Sequence, residues 1–262
     1  MDFSIISVTH NCEKTIQRCV GSAMLQEKVS LEHIVVDGSS QDSTYKQILE
    51  LKHSGMVHIS EPDSGIYEAL NKGIQMSSGN FIGVLHCDDV FFEAESLLYI
   101  KSVFQKHPNI NMVSGGVIFK STKNDKRVLR CYRSHLFRPW MLRFGFMPAH
   151  TATFIRSDVL RALDGYNDSY ESAGDFDFFV RYFNSPYVNY LLTDKVITIM
   201  EIGGKSTSGI KSYNNTSREI LRSLKENNVF SLTLFVLVRL PIKWASKFFF
   251  GLFCDWRYQK KV

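Results

Sequence analysis

The feature that most constrains this chain is an alternation in its N-terminal part. Short apolar runs ending in acidic or hydroxyl residues take turns with helix-period patterns. Ser4 to Val8 is followed by Ile16, Cys19, Val20, Ala23 and Met24 at i, i+3, i+4, i+7 and i+8, with Asn11 placed to cap that helix. His33 to Val36 leads into DGSSQDST, where Gly38 permits a sharp turn and Asp42 can cap a helix running through Leu51. Val57 to Ser60 precedes a stripe of Ile66, Ala69, Leu70, Gly73 and Ile74. Phe81 to Leu85 is apolar throughout, as a strand covered on both faces requires, and it ends at His86-Cys87-Asp88-Asp89. Right-handed crossovers turn such a series into a mainly parallel sheet flanked by helices, with ligands at the carboxyl ends of the strands. Asp37 and Asp88 both fall there. Carboxylates gathered in one cleft raise each other's pKa unless a cation or hydrogen-bond donors sit among them, which suits a divalent metal and a nucleotide.

After Pro108 the pattern loosens. It predicts antiparallel pieces at Met112 to Phe119, Val128 to Tyr132, Thr151 to Ile155 and Val196 to Glu201, and a helix from Asp175 to Phe183. No repeat, low-complexity tract or Pro/Gly/Ser-rich linker separates the halves. The expectation is therefore one α/β domain over 1–210, with a nucleotide-binding half (1–108) and an acceptor half (109–210), and a helical segment over 211–262. A composition of 44% hydrophobic and 22% charged residues excludes disorder. The five cysteines are odd in number and lack a CxxC pair, arguing against a disulfide framework and a structural zinc site. The chain enters a strand at once (FSIISV) without a signal-peptide pattern, so a cytoplasmic location is expected.

The net charge of +5 is unevenly spread, dense from Lys120 to Arg143 and again after Arg239. Charge alone leaves nucleic acid, anionic lipid and a diphosphate open. From Val229 the chain turns strongly apolar, but Arg239, Pro241, Lys243 and Lys247 interrupt it before the roughly 20 residues of a spanning helix. On a helix Arg239, Lys243 and Lys247 share one side, while Ile242, Ala245, Phe249 and Leu252 lie opposite, flanked by Trp244 and Trp256. That pattern describes an amphipathic tail lying in a membrane interface with its basic side toward anionic headgroups. A core or oligomer-contact helix is the alternative.

The segments SVTHN, VVDGSSQDST, EPDSGIYEALNKGI, GVLHCDD, HTATF and AGDFDFFVRY, in that order, resemble the inverting family 2 glycosyltransferases of GT-A fold. The resemblance covers Phe3 to Gly209. It implies transfer of a sugar from a nucleoside-diphosphate donor with Mg2+ or Mn2+, in bacterial envelope polysaccharide synthesis, and no nucleic-acid partner. Thr9, Asn11 and Glu13 match the loop that grips the nucleoside, Asp37 the residue that bonds the base, and Ser39 the lining of that pocket. A carboxylate accepts from a ring N–H, which favours uracil or thymine and hence a UDP- or dTDP-sugar. Plainer readings stand beside these: an Asx turn for Asp37, an N-cap for Asn11, a first-turn acid for Glu13. Asp63 is expected beside the nucleotide, and Lys72 either meets phosphate or pairs with Glu68 at i, i+4.

The D-x-D element of the family falls on His86-Cys87-Asp88, where His86 replaces the first acid. Asp88 is then the metal residue. Asp89 contacts the donor or caps the next turn; His86 touches donor sugar or ribose, or packs as a structural histidine. Asp175 takes the place of the base, with Gly174 where an acid is common, and Phe176, Phe179, Val180 and Phe183 as the buried stripe. His150 resembles a histidine near acceptor and diphosphate. Lys205, in the loop Gly203 to Ser208, would meet the leaving diphosphate. If the tail lies on a membrane, the acceptor is a glycan or polyprenyl-diphosphate-linked sugar at the inner face. A nucleotidyltransferase would show a glycine-rich basic loop after the first strand, and THNCEKT offers little of that. A non-catalytic nucleotide-sugar-binding module draws on the missing acid at His86. A homo-oligomer is left open.

Overall fold

In the computed structural model, which describes residues 1–121, 128–202 and 209–239, the expected alternation is present. β1 (Phe3–Thr9), α1 (Ile16–Met24), β2 (Leu31–Asp37), α2 (Thr44–Glu50), β3 (Met56–Ser60), α3 (Ile66–Met76) and β4 (Phe81–Val84) follow in turn. The four strands lie side by side in the order β3-β2-β1-β4, all parallel. Every residue of β1 is buried, since helices cover both faces of the sheet. Ile6, Val8, Ile34 and Val36 pack on one side with α3, and Phe3 and Ile5 point to the opposite core. The register is what builds the site. Thr9 lies opposite Asp37, and Asp37 opposite Ser60, so three polar strand ends are flush.

The second half adds β5 (Val90–Phe91), α4 (Ser96–Lys106), β6 (Met112–Ser121), β7 (Val128–Tyr132), β8 (Thr153–Arg156), α5 (Ser157–Ala162), α6 (Gly174–Phe183), β9 (Tyr190–Ile202) and α7 (Gly209–Glu226). β8 joins β4 antiparallel, and the sheet continues through β6 and β9 to β5, with β7 on β6. One expectation fails here. β9 runs parallel to β6, because the chain between them carries α5 and α6 and so has the length a parallel crossover needs.

Local expectations shift in several places. Asn11 does not cap α1, which starts at Ile16; it sits in left-handed conformation with a φ of 54°. Met24 is exposed although it continues the apolar spacing. On α3 the buried face takes Tyr67 and leaves Ile66 exposed. Cys12 and Cys87, read as part of an unpaired set, are joined as a disulfide. They are 75 residues apart in sequence, and only the meeting of the loops after β1 and β4 brings them together. Arg239, expected on an outward basic stripe, is buried. It donates from Nη2 to Ser217 Oγ at 3.3 Å and stands over the Tyr213 ring, at the end of a helical stretch over 233–239. Lys243, Lys247, Trp244 and Trp256 lie outside the described residues, as does Lys205. Among the described residues no helix is long and apolar enough to cross a membrane.

Candidate active site

The loops after β1 and β2 are tied to each other. Asn11 N–H donates to Ser40 Oγ (2.8 Å), Asn11 Oδ1 accepts from Gln41 N–H (2.9 Å), and Cys12 N–H donates to Thr44 Oγ1 (2.7 Å). Glu13 Oε2 accepts from Ser43 N–H at 3.2 Å. Asn11 and Glu13 thus brace one loop against the other, and neither acts as the helix-terminus residue of the plainer reading. Asp37 is the centre of this arrangement. Fully buried at the end of β2, its carboxylate accepts from Thr9 Oγ1 (2.9 Å), Ser40 N–H (3.0 Å), Ser40 Oγ (2.5 Å) and Ser60 Oγ (2.6 Å). Four donors of the protein itself thus satisfy both oxygens. Asp37 shapes the pocket, and Ser39, half-buried with a φ of 56°, lies on its rim.

Asp63 reaches the same place from the loop before α3. A Cβ on Gly38 would lie 2.5 Å from Asp63 Oδ2, so Gly38 is needed for this close approach. Its backbone angle does not require a glycine; Ser39 carries the left-handed turn. His10, whose Nδ1 is 2.9 Å from Gly38 O, is a third wall. Lys72 is accounted for otherwise. Its ammonium contacts Glu61 Oε1 (2.9 Å), Glu68 Oε1 (3.0 Å) and Pro62 O (2.9 Å), so each of its three N–H donors has a partner in this structure.

Past β4, Asp88 is half-buried and Asp89 fully buried. Both carboxylate oxygens of Asp89 are enclosed with no hydrogen-bond partner. Burial, then the charge of Asp88, pushes its carboxyl well above the usual range. An orphaned carboxylate next to a second one fits a hard divalent cation. The described residues contain no group of three or more His, Cys, Asp or Glu that could hold a metal, so such an ion would need diphosphate and water ligands too. His86 packs 5.7 Å, ring to ring, from His150. Burial and then His150 lower its pKa to about 4, while Asp88 and Asp175 pull the other way. His86 is therefore a neutral imidazole within electrostatic reach of carboxylates from both halves of the chain.

Asp175 stands in the first turn of α6, where burial raises its pKa. Its Oδ1 accepts from Phe176 N–H (2.8 Å) and from the Tyr67 hydroxyl (3.3 Å). Tyr67 is itself buried, with its phenol held well above its ordinary pKa by burial and then by Asp175, so it remains a proton donor. Gly174 explains the missing acid of the motif. A Cβ there would lie 2.8 Å from the Tyr67 ring, which occupies the space a side chain would fill. Tyr166, 6.0 Å from the Tyr67 ring, has its hydroxyl 2.7 Å from His150 Nε2. Asp177 turns away from this cluster and binds Arg181 Nε (2.8 Å), Ser223 Oγ (2.8 Å) and Asn227 Nδ2 (3.2 Å), fastening α6 to α7.

The sequence model of glycosyl transferase family 2 matches residues 4–162. This chain belongs to that family. Over 247 residues it is 28% identical to a PGL/p-HBAD biosynthesis glycosyltransferase of Mycobacterium tuberculosis, covering 90% of each. It is 29% identical over 183 residues to the chondroitin synthase of Pasteurella multocida, covering 68% of this chain and 18% of that enzyme. Its fold matches S. aureus TarS 1–349 in complex with UDP-GlcNAc, with a TM-score of 0.67 at 18% identity, over 100% of this chain and 78% of that one. The mannosyltransferase PcManGT of Pyrobaculum calidifontis, in complex with GDP-Man and Mn2+, gives 0.65 at 13% identity, over 86% and 63%.

The chain is thus a glycosyltransferase of GT-A type, and the mixed sheet is that of its fold. In this glycosyltransferase, sequence reasoning missed Tyr67, Tyr166, His10 and the Ser40–Ser60 pair around Asp37. Tyr67 lies inside EPDSGIYEALNKGI, but a single aromatic beside an apolar stripe looks like core until its hydroxyl is seen to face a carboxylate.

Proposed function

We propose that this glycosyltransferase moves a sugar from a UDP- or dTDP-sugar to a hydroxyl of a glycan acceptor, with inversion and with Mg2+ or Mn2+. The observation that carries the reading is the Asp175 carboxylate in the first turn of α6, held by the hydroxyl of Tyr67 from α3 at 3.3 Å. Residues 1–108 supply the donor side and 109–210 the acceptor side. Asp88, with Asp89 behind it, would hold the cation, which when bound offsets charge on the departing diphosphate. Asp175 takes the proton of the attacking hydroxyl. Burial keeps that carboxylate basic enough to do so, and Tyr67 holds its orientation. A neutral imidazole at His86, where the family pattern has an acid, spares Asp175 a further like charge.

The TarS complex with UDP-GlcNAc supports a uridine donor, and the Mn2+ of PcManGT supports a cation. The acceptor is a glycan or polyprenyl-diphosphate-linked sugar, reached by a peripheral enzyme at the inner face of the membrane. The test offers purified protein a panel of nucleotide sugars with Mn2+ and a lipid-diphosphate acceptor. Asp88→Ala and Asp175→Asn should each abolish transfer, while calorimetry shows donor binding retained in Asp175→Asn. Full turnover in either variant removes that residue's role.

A further inference from the structure

Leu25, Leu49 and several other large hydrophobic side chains are exposed singly, but one group is clustered. Leu136 and Trp140 are 61% and 60% exposed, on the connection between β7 and β8. Phe230, Leu234, Leu237 and Val238 are 37 to 67% exposed near the end of the described chain. Leu234, Leu237 and Val238 are spaced i, i+3, i+4 and so share one face of the helical stretch 233–239. The two groups meet: Trp140 packs edge-on against Phe144 (5.8 Å), Phe144 stacks on Phe235 (4.7 Å), and Ser231 Oγ donates to Arg143 O (2.6 Å). An apolar patch of this kind marks an interaction surface.

Its charge says what it meets. Arg138 and Arg143 are exposed within the first group. No Asp or Glu occurs anywhere from Arg127 to Arg156, or from Asn227 to Arg239. Exposed Trp and aliphatic side chains among cations, with no acid between them, complement the headgroup boundary of an anionic bilayer. We propose that the surface formed jointly by residues 134–144 and 230–238 seats this enzyme on anionic lipid. This deepens the membrane partner named above and rests on that reading, but adds to the C-terminal segment a face of residues 134–144 from the acceptor half. The face is continuous with the site. Phe137 packs on Phe183 at the end of α6 (5.3 Å), and Ser134 Oγ accepts from Ala149 N–H (3.1 Å), beside His150.

The test is co-sedimentation of the full chain with vesicles of phosphatidylcholine alone or of equal parts phosphatidylcholine and phosphatidylglycerol. Wild type should sediment with the anionic vesicles only, and less so as salt is raised. Leu136→Ala with Trp140→Ala should weaken that binding about tenfold or more, and Arg143→Glu should weaken it independently. Thermal melts matching wild type would show that the variants fold. Variants that bind like wild type, or a wild type with no preference for anionic vesicles, overturn the proposal. So does a dimer in analytical ultracentrifugation that Trp140→Ala disperses without any vesicle binding. Calorimetric binding of UDP- and dTDP-sugars with Mn2+, read on the same samples without vesicles, separates the two ideas. Its absence in wild type refutes the proposed donor and leaves the vesicle result standing.

Discussion

Replacing Tyr67 by Phe tests the link between helix α3 and the proposed base on α6. The ring keeps its packing against Tyr166 and Gly174, so the change removes one hydroxyl and little else. That hydroxyl donates to Asp175 Oδ1 at 3.3 Å. A hydrogen bond to a charged group contributes about 1.5–3 kcal/mol. This one is longer than the usual O–H···O, which puts it at about 1–1.5 kcal/mol. Because 1.36 kcal/mol corresponds to one pKa unit, losing the bond should raise the pKa of Asp175, already lifted by burial, by about one more. The base works ionised, so the acid limb of kcat against pH should move up by about one pH unit. Well above that limb kcat should approach wild type, with KM for the donor unchanged. Superimposable pH profiles, or a loss of kcat equal at every pH, would refute the reasoning.

Gly38→Ala should weaken nucleotide binding with little effect on the thermal midpoint, because its Cβ would displace the Asp63 carboxylate 2.5 Å away at a solvent-facing loop; unchanged calorimetric affinity counts against Asp63 as a donor-site residue. Lys72→Ala should alter donor affinity by less than about threefold, since the ammonium is committed to Glu61, Glu68 and Pro62 and such pairs contribute little; a large loss would restore its phosphate role. Burial lowers the pKa of His33 to about 3 and of His150 to about 4, from an ordinary 6.5. The unfolded chain then binds more protons than the folded one below that value, so stability should be full above pH 6.5 and fall as pH drops toward 4. Urea denaturation at stepped pH should show this slope, and His33→Gln should flatten it; a flat wild-type profile contradicts the buried, neutral state.

Much of the site could be read from residue order because it depends on strand ends. A run such as Phe81 to Leu85 followed by His-Cys-Asp-Asp places its polar residues at the carboxyl edge whatever the remaining packing does. The amphipathic spacing of α1 and α3 was legible for the same local reason, to within one residue. What a side chain does once it arrives was less legible. Asn11 and Glu13 look like helix-start residues, and they became braces because the neighbouring loop offered Ser40, Gln41 and Ser43 as partners. Lys72 could face phosphate or Glu68, and only the structure shows Glu61 from the preceding loop as a further partner. Arg239 fits an outward basic stripe by spacing, but a ring and a hydroxyl on α7 drew it inward.

The sequence by itself determined the parallel N-terminal half of the sheet, the family, and the carboxylates that reach the strand edge, since these follow from short-range periodicity and motif order. Only the tertiary structure decided that Asp37 is enclosed by four internal donors, that Cys12 meets Cys87, and that Gly174 makes room for Tyr67 to bond Asp175. Each of these joins residues far apart in the chain. Their geometry comes from strand register and helix packing, which no local pattern encodes.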